Sequence, residues 1–162
     1  MPGTFVARGS RIIVAVRLEP LYRMEFTYPE GWGVELRGEH GVQWRDLYIA
    51  EGTCSGRIAG RMRGANSPWR RVDGTYCPDF QGVIETADGA EVMFDCRGYG
   101  RAYPEGRRQV VVTATHLSAD ERYSWLNDAV CVGTGEVRAR PDADTELVIE
   151  FAELIWEPPA DA

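Results

Sequence analysis

The stretch from Asp120 to Val137, DERYSWLNDAVCVGTGEV, joins a polar turn, an aromatic cluster and a glycine-punctuated β-run. The cluster holds Tyr123 and Trp125, and the run that starts at Ala129 is rich in valine. Helical periodicity is scarce here and in the rest of the chain, and 18 glycines and nine prolines punctuate the chain. The stretch therefore predicts a strand that is entered through one short helical turn, within Ala119 to Asn127, with an aromatic platform beside it.

Runs rich in valine, isoleucine, threonine and aromatic residues recur along the chain at roughly 8–12-residue spacing, which is typical of strands. The predicted strands are Arg11–Leu18, Leu21–Tyr28, Val42–Ile49, Cys54–Arg63, Asp79–Thr86, Glu91–Arg97, Gln109–His116, Ala129–Arg138 and Glu146–Trp156. Two Asp-Gly pairs, at Asp73 and Asp88, are hairpin signals. Connections are expected at Gly31–Gly41, Gly64–Pro68, Gly98–Arg108 and Arg140–Asp144.

These patterns predict an all-β fold, a single antiparallel β-barrel of about 8–10 strands with almost no helix, because closure hides the edges of the sheet. The 162 residues fit one domain, since domains typically have ~100–150 residues. Residues 1–17 are expected to be an N-terminal extension or an extra strand, and residues 157–162 a frayed tail.

Composition excludes several classes of function. All 18 basic residues are arginine, so the chain has no lysine for a Schiff base or a Walker A loop. A net charge of −7, with arginines scattered among acids, argues against a nucleic-acid partner. The longest apolar run of the N-terminus, Ile12–Val16, is too short for a signal peptide or a membrane span.

The spacing of cysteine and histidine and the lack of known motifs also exclude classes of function. The four cysteines form no C-x-x-C pair, and because no signal peptide is recognised we expect free thiols in a cytoplasmic protein. His40 and His116, the only histidines, lack the spacing of a metal site. No dinucleotide fingerprint or G-x-S-x-G elbow occurs, and we predict that the protein uses no cofactor.

Charged residues on one predicted hairpin are the leading catalytic candidates. Asp95 and Arg97 alternate with apolar neighbours, so both point to one face of the strand. If that face lines the barrel interior, Arg97 would stabilise an oxyanion while Asp95 moves a proton; the alternative is a mutually satisfied ion pair. Asp79 and Glu85 lie on the partner strand, where an acid could meet Arg97, unless this face is the outer one.

His116 should share a face with Val110, Val112 and Ala114, either as a catalytic base or as a rim histidine bonded to the backbone. Aromatic and amide side chains could form a pocket for a planar ligand, although core packing and turn bracing are the competing roles. These candidate ligand-binding residues are Trp69, Tyr99, Tyr123, Trp125 and Asn127, with Asp79 beside them.

Several motifs resemble a bacterial and fungal family known as domain of unknown function 3237, or the UPF 0311 group. They are LEPLYR at Leu18–Arg23, Gly52 with Gly56 and Gly60, Trp69 with Asp73-Gly74, Arg97-Gly98, and RYSWLN at Arg122–Asn127 followed by Val132-Gly-x-Gly135. Cys54 departs from the pattern, where an aromatic residue is usual. The resemblance covers about Leu18–Trp156 and implies an antiparallel barrel similar to allene-oxide-cyclase and lipocalin barrels. It implies no agreed activity.

The sequence thus leaves three functions open. The leading hypothesis is a cofactor-independent cyclase, isomerase or dehydratase that acts on a small, partly apolar metabolite in the barrel cavity. The second is a lipocalin-like carrier that binds such a molecule without changing it. The third is a structural subunit whose exposed aromatic residues form a homodimer or larger homo-oligomer.

Overall fold

The computed structural model describes residues 16–102, 108–139 and 145–158. Ten strands follow one another: β1 (Val16–Gly38), β2 (Gly41–Gly56), β3 (Gly60–Asn66), β4 (Trp69–Arg70), β5 (Tyr76–Cys77), β6 (Asp79–Thr86), β7 (Glu91–Ala102), β8 (Arg108–Leu117), β9 (Cys131–Ala139) and β10 (Thr145–Trp156). One 3₁₀ turn, Ser124–Asp128, lies between β8 and β9. The described residues contain no α-helix.

Eight of these strands form a ring in the order β1, β2, β3, β6, β7, β8, β9, β10, and β10 pairs again with β1. Every pairing is antiparallel, and the β7–β8 pair, from Met93–Leu117 to Ala102–Arg108, closes the ring. The short strands β4 and β5 pair with each other and attach to β7 through Tyr76 and Gly100. The predicted all-β antiparallel fold is confirmed.

Residues alternate between the two faces of each ring strand. In β7, Phe94 and Cys96 are buried, whereas Asp95 and Arg97 are exposed. This alternation directs apolar side chains inward and charges outward, which is the arrangement with the lowest desolvation cost. Side chains that fill one half of the ring almost completely are Leu21, Met24, Ile58, Met62, Ile84, Val92 and Leu126.

The RYSWLN segment closes that filled half. Leu126 is 0% exposed and plugs the end of the ring. The Asn127 amide accepts a hydrogen bond from Ser118 N at 2.8 Å and donates one to Ser118 O at 3.0 Å. Tyr123 donates to the Asp88 carboxylate at 3.1 Å, which ties the segment to the β6–β7 turn. The predicted helical turn is therefore present, and it works as an end cap.

The β1–β2 hairpin extends beyond the ring. β10 pairs with β1 only as far as Thr27, and β3 pairs with β2 only from Tyr48 onward. Residues 30–38 and 41–47 therefore form a two-stranded arm, so the predicted connection at Gly31–Gly41 is wrong. The error arose because glycines that normally mark turns lie here inside a strand. Large apolar side chains exposed on one face of the arm are Trp32, Val34, Leu36 and Leu47.

Other element boundaries also differ from expectation. The run Cys54–Arg63 is two strands separated by a turn, and Gly64 to Asn66 belong to β3. β1 continues through Pro20, where its register with β10 shifts, and β7 continues to Ala102. Predictions for residues 1–15, 103–107, 140–144 and 159–162 lie outside the described residues. Both Asp-Gly hairpins are present as expected.

The paired strands β1 and β2 approach each other closely at Gly52, which lies opposite Phe26. A Cβ atom added to Gly52 would lie 2.0 Å from Glu25 O and 2.5 Å from Phe26 Cβ. The nearest of these atoms is backbone, so the strands themselves would have to separate. Gly38, at the tip of the arm, has no atom within 4 Å of the same added Cβ.

We expect Gly52→Ala to lower the free energy of unfolding by about 3 kcal/mol, because overpacking against backbone cannot relax through a side-chain rotation. Urea denaturation followed by circular dichroism measures this change. Gly38→Ala is the matched control and should change stability by less than about 0.5 kcal/mol. Equal effects of the two substitutions would contradict the close-contact explanation.

Candidate functional site

A cavity of about 220 Å³ lies inside the ring, in the half that the RYSWLN cap does not fill. Its apolar walls are Phe26, Pro78, Phe80, Val110, Val112, Val137, Leu147 and Ile149. Its polar lining comprises Tyr28 from β1, Tyr48 from β2, Asn66 from β3, Tyr76 from β5, Cys96 from β7, Arg108 from β8 and Thr145 from β10. An apolar volume with a few convergent polar groups is typical of small-molecule sites.

Asn66 and Tyr28 form the most deeply buried polar pair of this lining. The backbone N–H of Asp79 donates to Asn66 Oδ1 at 3.1 Å, which fixes the orientation of the amide. Asn66 Nδ2 consequently faces Tyr28 and donates to its hydroxyl oxygen at 2.9 Å. Burial raises the pKa of Tyr28 well above its usual range, although the Asn66 hydrogen bond opposes this rise. Tyr28 therefore stays protonated, and its own O–H hydrogen remains available to a ligand.

Tyr48 and Tyr76 lie side by side nearer the mouth of the cavity. The neighbouring Tyr76 phenol, together with burial, raises the pKa of Tyr48 to about 12. Tyr76 donates to Asp46 Oδ2 at 3.3 Å. Gly31 makes room for this arrangement, because an added Cβ would lie 2.6 Å from Tyr48 Cδ1. Gly31 thus allows Tyr48 to lie close against β1 and to line the cavity.

Two arginines lie against Tyr76. The Cζ atom of Arg108 is 4.6 Å from the centre of the Tyr76 ring, and that of Arg70 is 5.1 Å from it. Guanidinium groups favour such stacking on aromatic faces. The mouth therefore combines phenol, carboxylate and guanidinium groups, whereas the depth of the cavity is apolar.

Cys96 is the only thiol in the described lining of the cavity. Burial raises its pKa to about 12, so the group is a neutral thiol at physiological pH. Since the thiolate is the nucleophilic form, this environment argues against covalent catalysis by Cys96.

Asp95, Arg97 and Glu85 do not line this cavity. All three point outward from β6 and β7, so the expectation that they face the interior is wrong. Arg97 pairs instead with Asp79, with 2.8 Å between Nε and Oδ1, which is the cross-strand contact expected from the sequence. The pair is well exposed, at 69% and 44% of the two side chains, and water satisfies the charges at little cost.

A groove of about 620 Å³ on the outer face collects four of the predicted residues. Trp69 and Tyr99 flank the Asp79–Arg97 pair there, and Trp69 is 57% exposed. The sequence therefore brought these side chains together correctly but placed them on the wrong side of the sheet. An open groove in bulk water strengthens no electrostatic interaction, so it is the weaker candidate.

Tyr123, Trp125 and Asn127 belong to the end cap and not to a ligand pocket. The Asn127 amide is used by the Ser118 backbone, as the bracing alternative predicted. Trp125 donates from Nε1 to Arg122 O at 3.1 Å and lies 4.3 Å beneath the Arg57 guanidinium. The RYSWLN segment, the most specific motif of the sequence, therefore braces one end of the ring.

His116 points inward, as expected from its alternation with Val112 and Ala114. It lies in the filled half of the ring and is 5% exposed. Its Nε2 atom shares a hydrogen bond of 2.9 Å with Tyr22 OH, and Nδ1 is 3.9 Å from Cys131 Sγ. Burial lowers its pKa to about 4. Neutral His116 is thus a hydrogen-bonded core residue outside the cavity lining, which fits neither the expected catalytic position nor a rim histidine bonded to the backbone.

The lowered pKa of His116 makes stability depend on pH. Between pH 6.5, the ordinary value, and pH about 4, the unfolded chain binds a proton that the folded protein does not. As the pH falls from 6.5 to about 4, we expect protonation of His116 in the unfolded chain to lower the free energy of unfolding by about 3 kcal/mol. Denaturant titrations of wild type and His116→Gln from pH 7 to pH 4 measure the difference in slope.

His40 supplies the control for that measurement, because it is exposed in the turn of the arm. His40→Gln should keep the pH dependence of the wild type. If His116→Gln shows the same slope as the wild type, His116 does not titrate as its burial requires.

Sequence reasoning missed Tyr28, Asn66, Tyr48, Tyr76 and Arg108. The sequence carries one signal for Asn66, in the segment GRMRGAN. Arg61 and Arg63 are charged and mark the outer face of this strand. By alternation, Asn66 therefore lies on the inner face with Met62. The other four come from separate strands, and only the closed ring brings them together.

The described ranges hold no group of three or more His, Cys, Asp or Glu side chains suited to a metal ion. In the same ranges, no helix has the length and apolar character needed to cross a membrane.

The ring and its interior cavity define a barrel-like protein whose cavity is the candidate functional site. The family described as "Protein of unknown function (DUF3237)" matches residues 16–154, and the chain belongs to that family. None of the curated proteins matches the sequence.

Solved structures with the same fold come from bacteria and from Penicillium herquei. A beta-barrel like protein from Acinetobacter baumannii has a TM-score of 0.71 and 21% identity, over 87% of this chain and 97% of its own. A protein of unknown function from Clostridium acetobutylicum has a TM-score of 0.70 and 17% identity, over 87% of this chain and 100% of its own. An enzyme from Penicillium herquei has a TM-score of 0.68 and 22% identity, over 91% of this chain and 99% of its own. These similarities establish the fold alone.

Proposed function

We propose that the interior cavity binds a small, partly apolar organic molecule and catalyses a cofactor-independent proton-transfer reaction on it. Isomerisation, cyclisation and dehydration belong to this class. The observation that supports the proposal best is the oriented Asp79–Asn66–Tyr28 chain of hydrogen bonds, which leaves the Tyr28 O–H directed to a ligand. The similar fold of an enzyme from Penicillium herquei is compatible with it.

Tyr28 is the electrophilic group of this proposal. A protonated phenol in an apolar cavity donates a strong hydrogen bond to a carbonyl or enolate oxygen, since little water competes for it. Asn66 contributes by donating to the same Tyr28 oxygen, which favours negative charge on that oxygen when the Tyr28 proton moves toward the substrate. The pair thus stabilises charge that develops during the reaction.

Asp46 is the proton acceptor of this proposal, acting through Tyr76. In an enolisation, the substrate C–H bond breaks and its proton passes to the Tyr76 oxygen, while Tyr76 gives its own proton to Asp46. The electron pair of the broken bond forms the enol double bond, and the carbonyl oxygen takes the charge opposite Tyr28. Return of the proton at another carbon completes an isomerisation. A cyclisation is completed when the enolate oxygen adds to one carbon of a conjugated C=C bond in the same molecule, because the electron pair of that broken π bond takes the proton back from Tyr76 at the other carbon.

The alternative is a carrier that binds the molecule without turnover. The extent of apolar wall favours binding, but a carrier does not need two phenols with raised pKa values that converge on the cavity. Proton exchange in a bound probe distinguishes the two functions, because a carrier has no reason to accelerate it. We also propose a cytoplasmic location, where the four buried cysteines would stay reduced.

We expect the protein to accelerate exchange of the α-protons of 2-tetralone in D₂O, measured by proton NMR, and Tyr28→Phe to slow this exchange by roughly 10–100-fold. The substitution removes the hydrogen-bond donor and keeps the ring. Tyr99→Phe, which makes the same change on the outer face, should retain the wild-type rate.

The outcomes of this experiment are distinct. Binding of 2-tetralone without faster exchange would replace the enzyme by the carrier. Faster exchange that survives Tyr28→Phe would remove Tyr28 from the mechanism. Failure of this ketone to bind at millimolar concentration would contradict the cavity as a site for such molecules.

Self-association remains a third, separate proposal. The arm exposes Trp32 at 54%, Val34 at 67% and Leu36 at 65%, and apolar side chains of this kind favour contacts between subunits. We expect sedimentation velocity to show an oligomer that Trp32→Ser with Leu36→Ser converts to a monomer. A wild-type protein that sediments as a clean monomer would remove this proposal.

A further inference from the structure

We infer that the ligand of the cavity carries an anionic end, a carboxylate or a group of similar charge, which Arg70 and Arg108 bind at the mouth. This inference rests on the proposed function, because it concerns the same cavity. The two arginines come from different strands, β4 and β8, and meet at one ring, that of Tyr76.

These two arginines differ from most others in the described ranges. Elsewhere, guanidinium groups commonly pair with a carboxylate, as Arg23 does with Glu25 and Arg122 with Asp120. Among the described residues, neither Arg70 nor Arg108 has an Asp or Glu within ion-pair distance. In a chain of net charge −7, two cations without a described carboxylate partner at the mouth of one cavity favour an external anion.

Stacking on Tyr76 leaves the two guanidinium groups able to bind an anion. A guanidinium group that stacks uses its flat face, and its N–H donors in the plane stay available for the two oxygens of a carboxylate. The Tyr76 ring is itself held by its hydrogen bond to Asp46. Asp46 offsets part of the positive charge of the two guanidinium groups.

The cavity is charged at its mouth and apolar in its depth, so the two ends of a ligand would lie in different surroundings. Arg108 lines the cavity beside Val110, and the walls beyond it are apolar. Arg70 does not line the cavity itself, but its Cζ atom is 5.1 Å from the ring centre of Tyr76, which does line it. A ligand with a carboxylate at one end and an apolar body at the other matches this polarity, whereas a fully apolar ligand would leave both arginines without an anion.

A matched pair of probes tests the inference. Trans-cinnamate and trans-cinnamamide have nearly the same shape and differ in charge, and isothermal titration calorimetry measures both affinities. We expect the wild type to bind cinnamate at least about tenfold more tightly, and added salt to reduce this preference. Arg70→Gln and Arg108→Gln should each weaken cinnamate binding by about tenfold and leave cinnamamide binding unchanged.

Arg45→Gln is the control, since Arg45 lies on the arm and removal of its charge leaves the Tyr76 stack intact. It should alter neither affinity. Cinnamamide binding as tight as that of cinnamate would overturn the anionic end and leave the cavity as a binding site. A preference for cinnamate that survives in both arginine variants would also overturn it. Binding of neither probe would count against the cavity itself, and with it against both proposals.

Discussion

Closure of the sheet by the β7–β8 pair is the constraint on which the rest of the structure depends. Without it, β7 and β8 would each present a row of unpaired backbone groups, and the inner face of the sheet would have no enclosed volume. With it, each ring strand gains two neighbours, and alternate side chains from eight strands converge on one interior. The cavity exists because this interior is filled completely in only one half.

The two halves of the interior serve different purposes. Tyr22 and Tyr28 lie on the same strand, about 20 Å apart if β1 is fully extended. Tyr22 stacks on Phe151 and bonds to His116 in the filled half, under the RYSWLN cap. Tyr28 bonds to Asn66 in the open half. One tyrosine is thus a core residue and the other a candidate catalytic residue, and their surroundings alone make the difference.

The sequence predicted most strands, but it predicted less well which face of a strand points into the ring. Runs such as Asp79–Thr86 gave a strand with the correct bounds, because alternation and the Asp-Gly turn are local signals. Alternation also predicted correctly that Asp95 and Arg97 share a face of β7. Assigning them a catalytic role required this face to point into the ring. The desolvation cost of charged side chains favours the opposite, outward direction. The arm was missed because glycines that make room for Tyr48 resemble glycines that make turns. Tyr76 and Arg108 are brought together by pairings between distant strands, which no local pattern encodes.

The polar residues of the cavity are distributed over the chain in a way that affects how such proteins can diversify. Tyr28, Tyr48, Asn66, Tyr76 and Arg108 come from five different strands, and no two of them are sequence neighbours. The cap that secures the fold lies at the other end of the ring. Selectivity and foldability can therefore change through separate sets of mutations. Under the proposed function, a combinatorial library restricted to these five codons would vary ligand preference while the residues of the cap stay unchanged.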